Sequence, residues 1–68
     1  MNPEEIFGVN AGKIWDILKG KRGLSATTIA KKANLKPNEV YGALGWLGRE
    51  GKIQIVNSKR GTRFKLVE

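Results

Sequence analysis

The fold is decided by residues 40–53, whose sequence is VYGALGWLGREGKI. Four apolar side chains of this stretch recur at helical spacing: Val40, Ala43, Leu44 and Leu47. Such a stripe predicts a helix with one face toward a core. Pro37 suits the first position of that helix, because its missing N–H would have no partner there, and Gly51 is a typical residue for ending it. We therefore predict a third helix over about residues 37–50.

Two shorter helices are predicted before this one. Apolar residues at helical spacing begin at Ala11 and end at Leu18, which indicates a first helix over about residues 10–19. Ser25 can accept a hydrogen bond from an exposed amide of the turn that follows it, and a short apolar stripe comes next. A second helix is therefore expected over about residues 26–33, joined to the third by a tight turn.

The C-terminal residues 52–67 are predicted to form a β-hairpin. Two segments that alternate apolar and polar side chains, 52–56 and 62–66, flank turn-forming residues at 57–61. Four apolar side chains of the hairpin are expected to face the core: Ile53, Ile55, Phe64 and Leu66. The predicted fold class is α+β, with three helices and a C-terminal two-stranded hairpin in a single domain over residues 1–68.

The chain is short and strongly basic. Its 68 residues include 13 Lys plus Arg against 6 Asp plus Glu, which gives a formal net charge of +7. The charge is unevenly distributed, because residues 19–36 sum to +6 and residues 52–68 sum to +4. Blocks of positive charge attract polyanions such as nucleic acids.

The residue inventory argues against catalysis, metal binding and membrane insertion. The chain has no Cys and no His, and its hydroxyls Ser25 and Ser58 are accounted for as a helix cap and a turn residue. No apolar run approaches the roughly 18 residues that span a bilayer. We expect a cytoplasmic binding protein that is not an enzyme and that has no cofactor, metal ion or membrane partner.

The order of helix, short helix, tight turn, helix and basic hairpin resembles a winged helix-turn-helix domain, in which the hairpin is called the wing. The residues that carry the resemblance lie in the third helix and the start of the wing: Val40, Ala43-Leu44, Leu47, Glu50-Gly51 and Ile53. More narrowly, residues 10–15 together with residues 44–47 are similar to a family of short stand-alone winged-helix proteins of uncharacterised function in bacteria and archaea.

The resemblance implies that the third helix enters the major groove of double-stranded DNA and that the wing contacts the backbone or the minor groove. The candidate nucleic-acid contacts are exposed polar and cationic residues: Lys31, Lys32, Lys36, Asn38, Tyr41, Arg49, Lys59, Arg60, Arg63 and Lys65. The helix face opposite the core stripe is expected to comprise Asn38, Gly42, Gly45 and Arg49. Because its middle has two glycines where donors would read base edges, binding is expected to depend mainly on backbone charge.

A second hypothesis is that the same fold serves protein contacts. Glycines inside a helix cost up to about 1 kcal/mol each relative to Ala, so they suggest close approach of another surface or packing within the domain. Trp15 and Trp46 lie on the flanks of their helical stripes and either pack on each other or belong to an interface. The candidate interface for a homodimer or another protein is Gly42, Gly45, Trp46 and Trp15. RNA binding is a third and weaker hypothesis, because few aromatics remain for base stacking.

Overall fold

The computed structural model describes residues 2–59 and 61–67, and of Glu4 only the backbone. Three helices come first: α1 (Pro3–Leu18), α2 (Ala26–Ala33) and α3 (Pro37–Arg49). They are followed by the strands β1 (Ile53–Ser58) and β2 (Gly61–Leu66), which pair antiparallel. The predicted α+β class with three helices and a C-terminal hairpin is confirmed.

The start of α1 differs from the sequence-based expectation. The helix begins at Pro3, whereas we predicted a start near residue 10. Asn2 caps it, because its side-chain Oδ1 accepts a hydrogen bond from the Glu5 N–H at 2.9 Å, and Pro3 occupies the first helical position. Asn10 lies buried in the interior of the helix instead of at its end. The additional turns bring Phe7 against α3, with consequences for the candidate site.

The second and third helices have clear local causes. The Ser25 hydroxyl accepts a hydrogen bond from the Thr28 N–H at 3.2 Å, so that α2 starts where the sequence predicts. At the start of α3 the Lys36 N–H donates to Glu39 Oε1 at 2.9 Å. Gly51 has a φ of +71°, which L side chains rarely adopt, and it lies two residues after Arg49, the last residue of α3.

The core lies between the three helices and β2. Its buried side chains come from all of these elements: Ala11, Ile14, Leu18, Ile29, Val40, Ala43, Leu44, Leu47 and Phe64. The stripe of α3 predicted from the sequence is buried in full. The hairpin contributes to this core mainly through Phe64, which is 8% exposed.

A single residue of the α1–α2 connection joins the hairpin as a third line of backbone pairing. The Leu24 N–H donates to the Phe64 carbonyl at 3.0 Å, and the Phe64 N–H donates to the Leu24 carbonyl at 2.8 Å. Strand β2 therefore lies between Leu24 and β1, which makes β1 the outer strand.

This pairing explains why one core prediction was wrong. Ile55 lies directly opposite Phe64 in the hairpin, and we expected both side chains in the core. Phe64 lies on the strand that pairs with Leu24 and is 8% exposed, whereas Ile55 lies on the outer strand and is 62% exposed. Ile53 and Leu66, the next pair along, are partly buried against the core.

Candidate nucleic-acid interface

The solvent-facing stripe of α3 is rotated relative to the one expected from its sequence. A Cβ atom placed on Gly42 would lie 2.6 Å from Cε1 of Phe7, so this glycine is needed where the α1 side chain packs on α3. A Cβ atom on Gly45 or Gly48 would have no neighbour within 4 Å, apart from the adjoining residues and backbone of α3 itself. The open stripe is therefore Tyr41, Gly45 and Gly48, and the expected face centred on Gly42 and Gly45 is corrected accordingly.

The open stripe of α3 forms one wall of a groove whose other wall is the hairpin. This α3–hairpin groove has a volume of about 630 Å³. Its lining is almost entirely apolar: Tyr41, Leu44, Gly45, Gly48, Ile53, Ile55 and Phe64. Tyr41 and Ile55 are 60% and 62% exposed, so the groove presents apolar surface to solvent.

A second groove lies between α2 and the start of α3. This α2–α3 groove has a volume of about 380 Å³ and is lined by residues of both helices and their connection: Ala26, Thr27, Ala30, Lys31, Asn34, Leu35, Pro37 and Tyr41. A hollow of similar size lies between α2, α3 and the hairpin, and Thr27, Tyr41 and Thr62 are among the residues that line it. Tyr41 borders all three spaces and thus stands at the centre of this face of the protein.

Three residues of this face were not predicted there from the sequence: Thr27, Thr62 and Ile55. The threonines are ordinary polar positions in the sequence, and only the packing of α2 against the hairpin brings their side chains beside Tyr41. The alternation of apolar and polar residues puts Ile55 on the same face of the strand as Ile53, and for that reason the sequence predicts it in the core. Its position on the outer strand could not be read from that alternation.

The adjacent lysines of α2 point to different surfaces. Lys31 lines the α2–α3 groove next to Tyr41. Lys32 lines a separate hollow between α1 and α2, which it shares with Asp16, Lys19 and Lys21. We predicted both lysines as nucleic-acid contacts, and the structure brings only Lys31 to the face that carries Tyr41.

The cations of the hairpin are also divided. Residues alternate in direction along a strand, so Arg63 and Lys65 lie on the face of β2 opposite to Thr62 and Phe64. The Arg63 Nη1–H donates to the Gly23 carbonyl at 3.3 Å, in the connection before α2. Lys59 is exposed at the tip of the hairpin, and the candidate Arg60 lies outside the described residues.

Three candidates lie at the ends of α3: Lys36, Asn38 and Arg49. Lys36 and Asn38 are exposed at its start, where the Asn38 Oδ1 accepts a hydrogen bond from the Glu39 N–H at 3.0 Å. Arg49 is exposed in the last turn. Among residues 2–59 and 61–67, the ion pairs join Lys19 to Asp16 at 3.3 Å and Lys52 to Glu50 at 3.8 Å.

Each tryptophan has a neighbour other than its counterpart. The Trp46 ring lies 6.5 Å from the Phe7 ring between centroids, at an interplanar angle of 38°. The Lys19 ammonium lies 4.1 Å from the centroid of the exposed Trp15 ring. Of the two alternatives given for these residues, the one in which the two rings pack on each other is therefore wrong. Within the predicted protein interface, Gly45 is exposed, and a Cβ atom added to it would have no neighbour within 4 Å.

Three helices, the Leu24 pairing and the hairpin define the winged helix-turn-helix class. The chain belongs to that family, because the family model described as "Winged helix-turn-helix domain (DUF2582)" matches residues 1–66. This confirms the resemblance found in the sequence. No curated protein matches the chain.

The solved structures that are similar to this one include two from different organisms. The solution NMR structure of protein BT2368 from Bacteroides thetaiotaomicron is 34% identical, with a TM-score of 0.87, over 96% of this chain and 79% of that one. The Zalpha domain of PKZ from Carassius auratus, solved in complex with Z-DNA, is 26% identical, with a TM-score of 0.78, over 90% of this chain and 97% of that one.

None of the helices described here is long and apolar enough to cross a bilayer.

Proposed function

We propose that this protein is a non-catalytic winged helix that binds double-stranded DNA, mainly through the charge of the phosphate backbone. The observation that carries the proposal is the face around Tyr41. Lys31 lies on this face, and none of the described residues that line its grooves is acidic. An acidic side chain there would repel phosphates, whereas exposed lysines attract them and release counterions on binding.

The similarity to a domain solved with Z-DNA supports a nucleic-acid partner. A duplex is favoured over a single strand, because Tyr41 is the single aromatic side chain of this face with large exposure among the described residues, and single strands need several stacking rings. We assign phosphate contacts to Lys31, Lys36 and Lys59, which form no ion pair within the described part of the chain. Arg60 remains a further contact predicted from the sequence alone.

The predicted contacts that lie elsewhere are given smaller roles. Lys32 faces the hollow beside Asp16, and Arg63 is engaged by the Gly23 carbonyl. Arg49 and Asn38, at opposite ends of α3, are proposed to contact the backbone on either side of the major groove.

We further propose that the protein regulates transcription in the cytoplasm. The similar protein of Bacteroides thetaiotaomicron is bacterial, and bacterial DNA is cytoplasmic.

The test measures affinity for a random-sequence duplex across a salt series for the wild type, Lys31→Gln and Lys32→Gln. The two variants are matched, because both remove one exposed charge from the last turn of α2. Each phosphate contact contributes roughly 0.9 to the slope of log affinity against log salt. Lys31→Gln should reduce the slope by about that amount, and Lys32→Gln should leave it nearly unchanged.

Equal slopes for the two variants would contradict the assignment of this face. If the wild type binds no duplex even at low salt, the DNA-binding proposal itself fails. A dimeric mass in solution together with that result would favour the alternative of protein contacts, with Gly45 as the position to probe first.

A further inference from the structure

Strand β1 has one edge without backbone pairing in the described part of the chain. Its other edge pairs with β2, and directly before β1 the Val67 N–H donates to the Lys52 carbonyl at 2.9 Å. Backbone groups point to the two edges alternately along an antiparallel ladder. The N–H and C=O groups of Ile53, Ile55 and Asn57 therefore point away from β2, and these three residues define the free edge of β1.

The pairing of Leu24 with β2 gives the same direction independently. Phe64 lies opposite Ile55 in the hairpin, and both backbone groups of Phe64 bond to Leu24 instead of β1. Ile55 is therefore at a position where the two strands exchange no hydrogen bonds. Its N–H and C=O are directed outward from the hairpin.

The free edge lacks the features by which proteins prevent pairing with another strand. Such edges usually have charged side chains, proline or a bulge. The sequence of β1 is IQIVNS, with no charge and no proline, and its six residues pair with β2 in one continuous register. Ile55 in the middle of the strand is 62% exposed. An uncharged, partly apolar edge of this kind can accept an additional strand.

The charges that flank β1 favour a second copy of the same chain as the source of that strand. Two copies with a net charge of +7 repel each other unless they meet where charge is absent or opposite. Lys59 directly follows β1, and the exposed Glu50 lies three residues before it. Antiparallel pairing of two β1 strands would bring Lys59 of each copy beside Glu50 of the other.

We propose that the protein forms a symmetric dimer through antiparallel pairing of β1 with β1 of a second copy, centred on Ile55. In this register each Ile55 N–H donates to the Ile55 carbonyl of the other copy, and Ile53 pairs with Asn57. The two exposed Ile55 side chains then lie opposite each other and cover one another. Both copies use the same edge, so the two-fold contact closes the assembly at two copies.

The dimer is expected to be weak, because a strand edge and its flanking side chains bury less than the roughly 800 Å² per partner of a stable interface. It should be half formed at roughly 0.1–1 mM. The inference does not depend on DNA binding, and the experiments below are made without DNA. The phosphate contact proposed for Lys59 belongs to the monomer, since Glu50 of the second copy engages it in the dimer.

The first experiment measures mass by sedimentation equilibrium and amide hydrogen exchange by NMR over the same concentration series. The mass should rise from monomer to dimer and stop there. The exchange rates of the outward Ile55 and Asn57 amides should fall in proportion to the remaining monomer fraction. The Val56 amide, which is directed to β2, is the internal control and should be protected at every concentration.

A matched pair of variants tests the position of the contact. Ile55→Lys removes the apolar contact and places two like charges opposite each other, so the dimer dissociation constant should rise roughly tenfold or more. Val67→Lys adds the same charge at another exposed apolar residue, 50% exposed and directly after β2. It should keep the wild-type dissociation constant. Both substituted side chains are exposed, and far-UV circular dichroism checks that both variants fold.

A charge exchange tests the antiparallel arrangement. Lys59→Glu lowers the net charge from +7 to +5 and so reduces general repulsion, yet it should weaken the dimer roughly fivefold by placing two acids together. Glu50→Lys should weaken the dimer as well. The double variant with both substitutions restores opposite charges and should bind more tightly than either single variant.

Four outcomes would overturn the inference. The first is a monomeric mass at every concentration up to about 1 mM. The second is a dimer in which exchange of the Ile55 and Asn57 amides does not depend on concentration, because its interface then lies elsewhere. The third is a mass that grows beyond the dimer. The fourth is equal weakening by Ile55→Lys and Val67→Lys. A failure to bind DNA would leave all of these measurements unchanged.

Discussion

Replacing Gly42 by Ala tests the contact that sets the orientation of α3. The added Cβ would lie 2.6 Å from Cε1 of Phe7, which forces either the ring or the helix to move. Overpacking of this kind costs about 1–3 kcal/mol. The same substitution gains about 1 kcal/mol in helix propensity, so the net change at Gly42 is a loss of about 0–2 kcal/mol.

Gly45→Ala is the control, because Gly45 lies one turn further along the same helix and has no neighbour within 4 Å of an added Cβ. It gains the propensity term without the clash. The two variants should therefore differ by about 1–3 kcal/mol in the free energy of unfolding. For a domain of this size each kcal/mol corresponds to about 4–8 °C in Tm.

The assay is thermal and urea unfolding followed by far-UV circular dichroism, repeated in a Phe7→Ala background. Removing the ring removes the clash, so Gly42→Ala should then stabilise the protein about as much as Gly45→Ala does. The reasoning is refuted if Gly42→Ala and Gly45→Ala stabilise the wild-type protein equally, or if the Phe7→Ala background leaves their difference unchanged.

Three further substitutions test other parts of the fold. Asn2→Ala removes the acceptor for the Glu5 N–H and should lower the free energy of unfolding by about 1 kcal/mol. The loss would be measured as a lower urea midpoint. An unchanged midpoint would argue against a start of α1 at Pro3. Phe64→Ala should lower the free energy of unfolding by about 3–5 kcal/mol, enough to unfold much of the protein. Ile55→Ala on the opposite strand should change it by less than about 0.5 kcal/mol, because Ile55 is exposed. Similar losses for the two variants would show that Ile55 belongs to the core.

The elements with strong local signals were predictable. The cap at Ser25, the proline at the start of α3 and the glycine after its end each act on neighbouring backbone groups, so the bounds of α2 and α3 follow from the sequence. The start of α1 had an equally local signal in Asn2 and Pro3. The prediction missed it because the apolar stripe used to place the helix begins further along the chain.

The candidate site was predicted less well than the fold. Tyr41 and Lys31 were named from the sequence and lie together on one face. Lys32 was named with them, but a neighbouring residue on a helix points about 100° away, and in this structure it faces α1 instead. The sequence shows how many cations the chain has, whereas their grouping depends on which helix packs beside each one.

The sequence by itself determined the order of the elements, the buried stripe of α3 and the basic character of the chain. These properties depend on composition and on residues a few positions apart. The tertiary structure alone decided that Phe7 covers Gly42, that Gly45 and Gly48 stay open, and that Ile55 borders an apolar groove. Those features arise where segments distant in the sequence pack together, and the spacing of residues along the chain does not predict that packing.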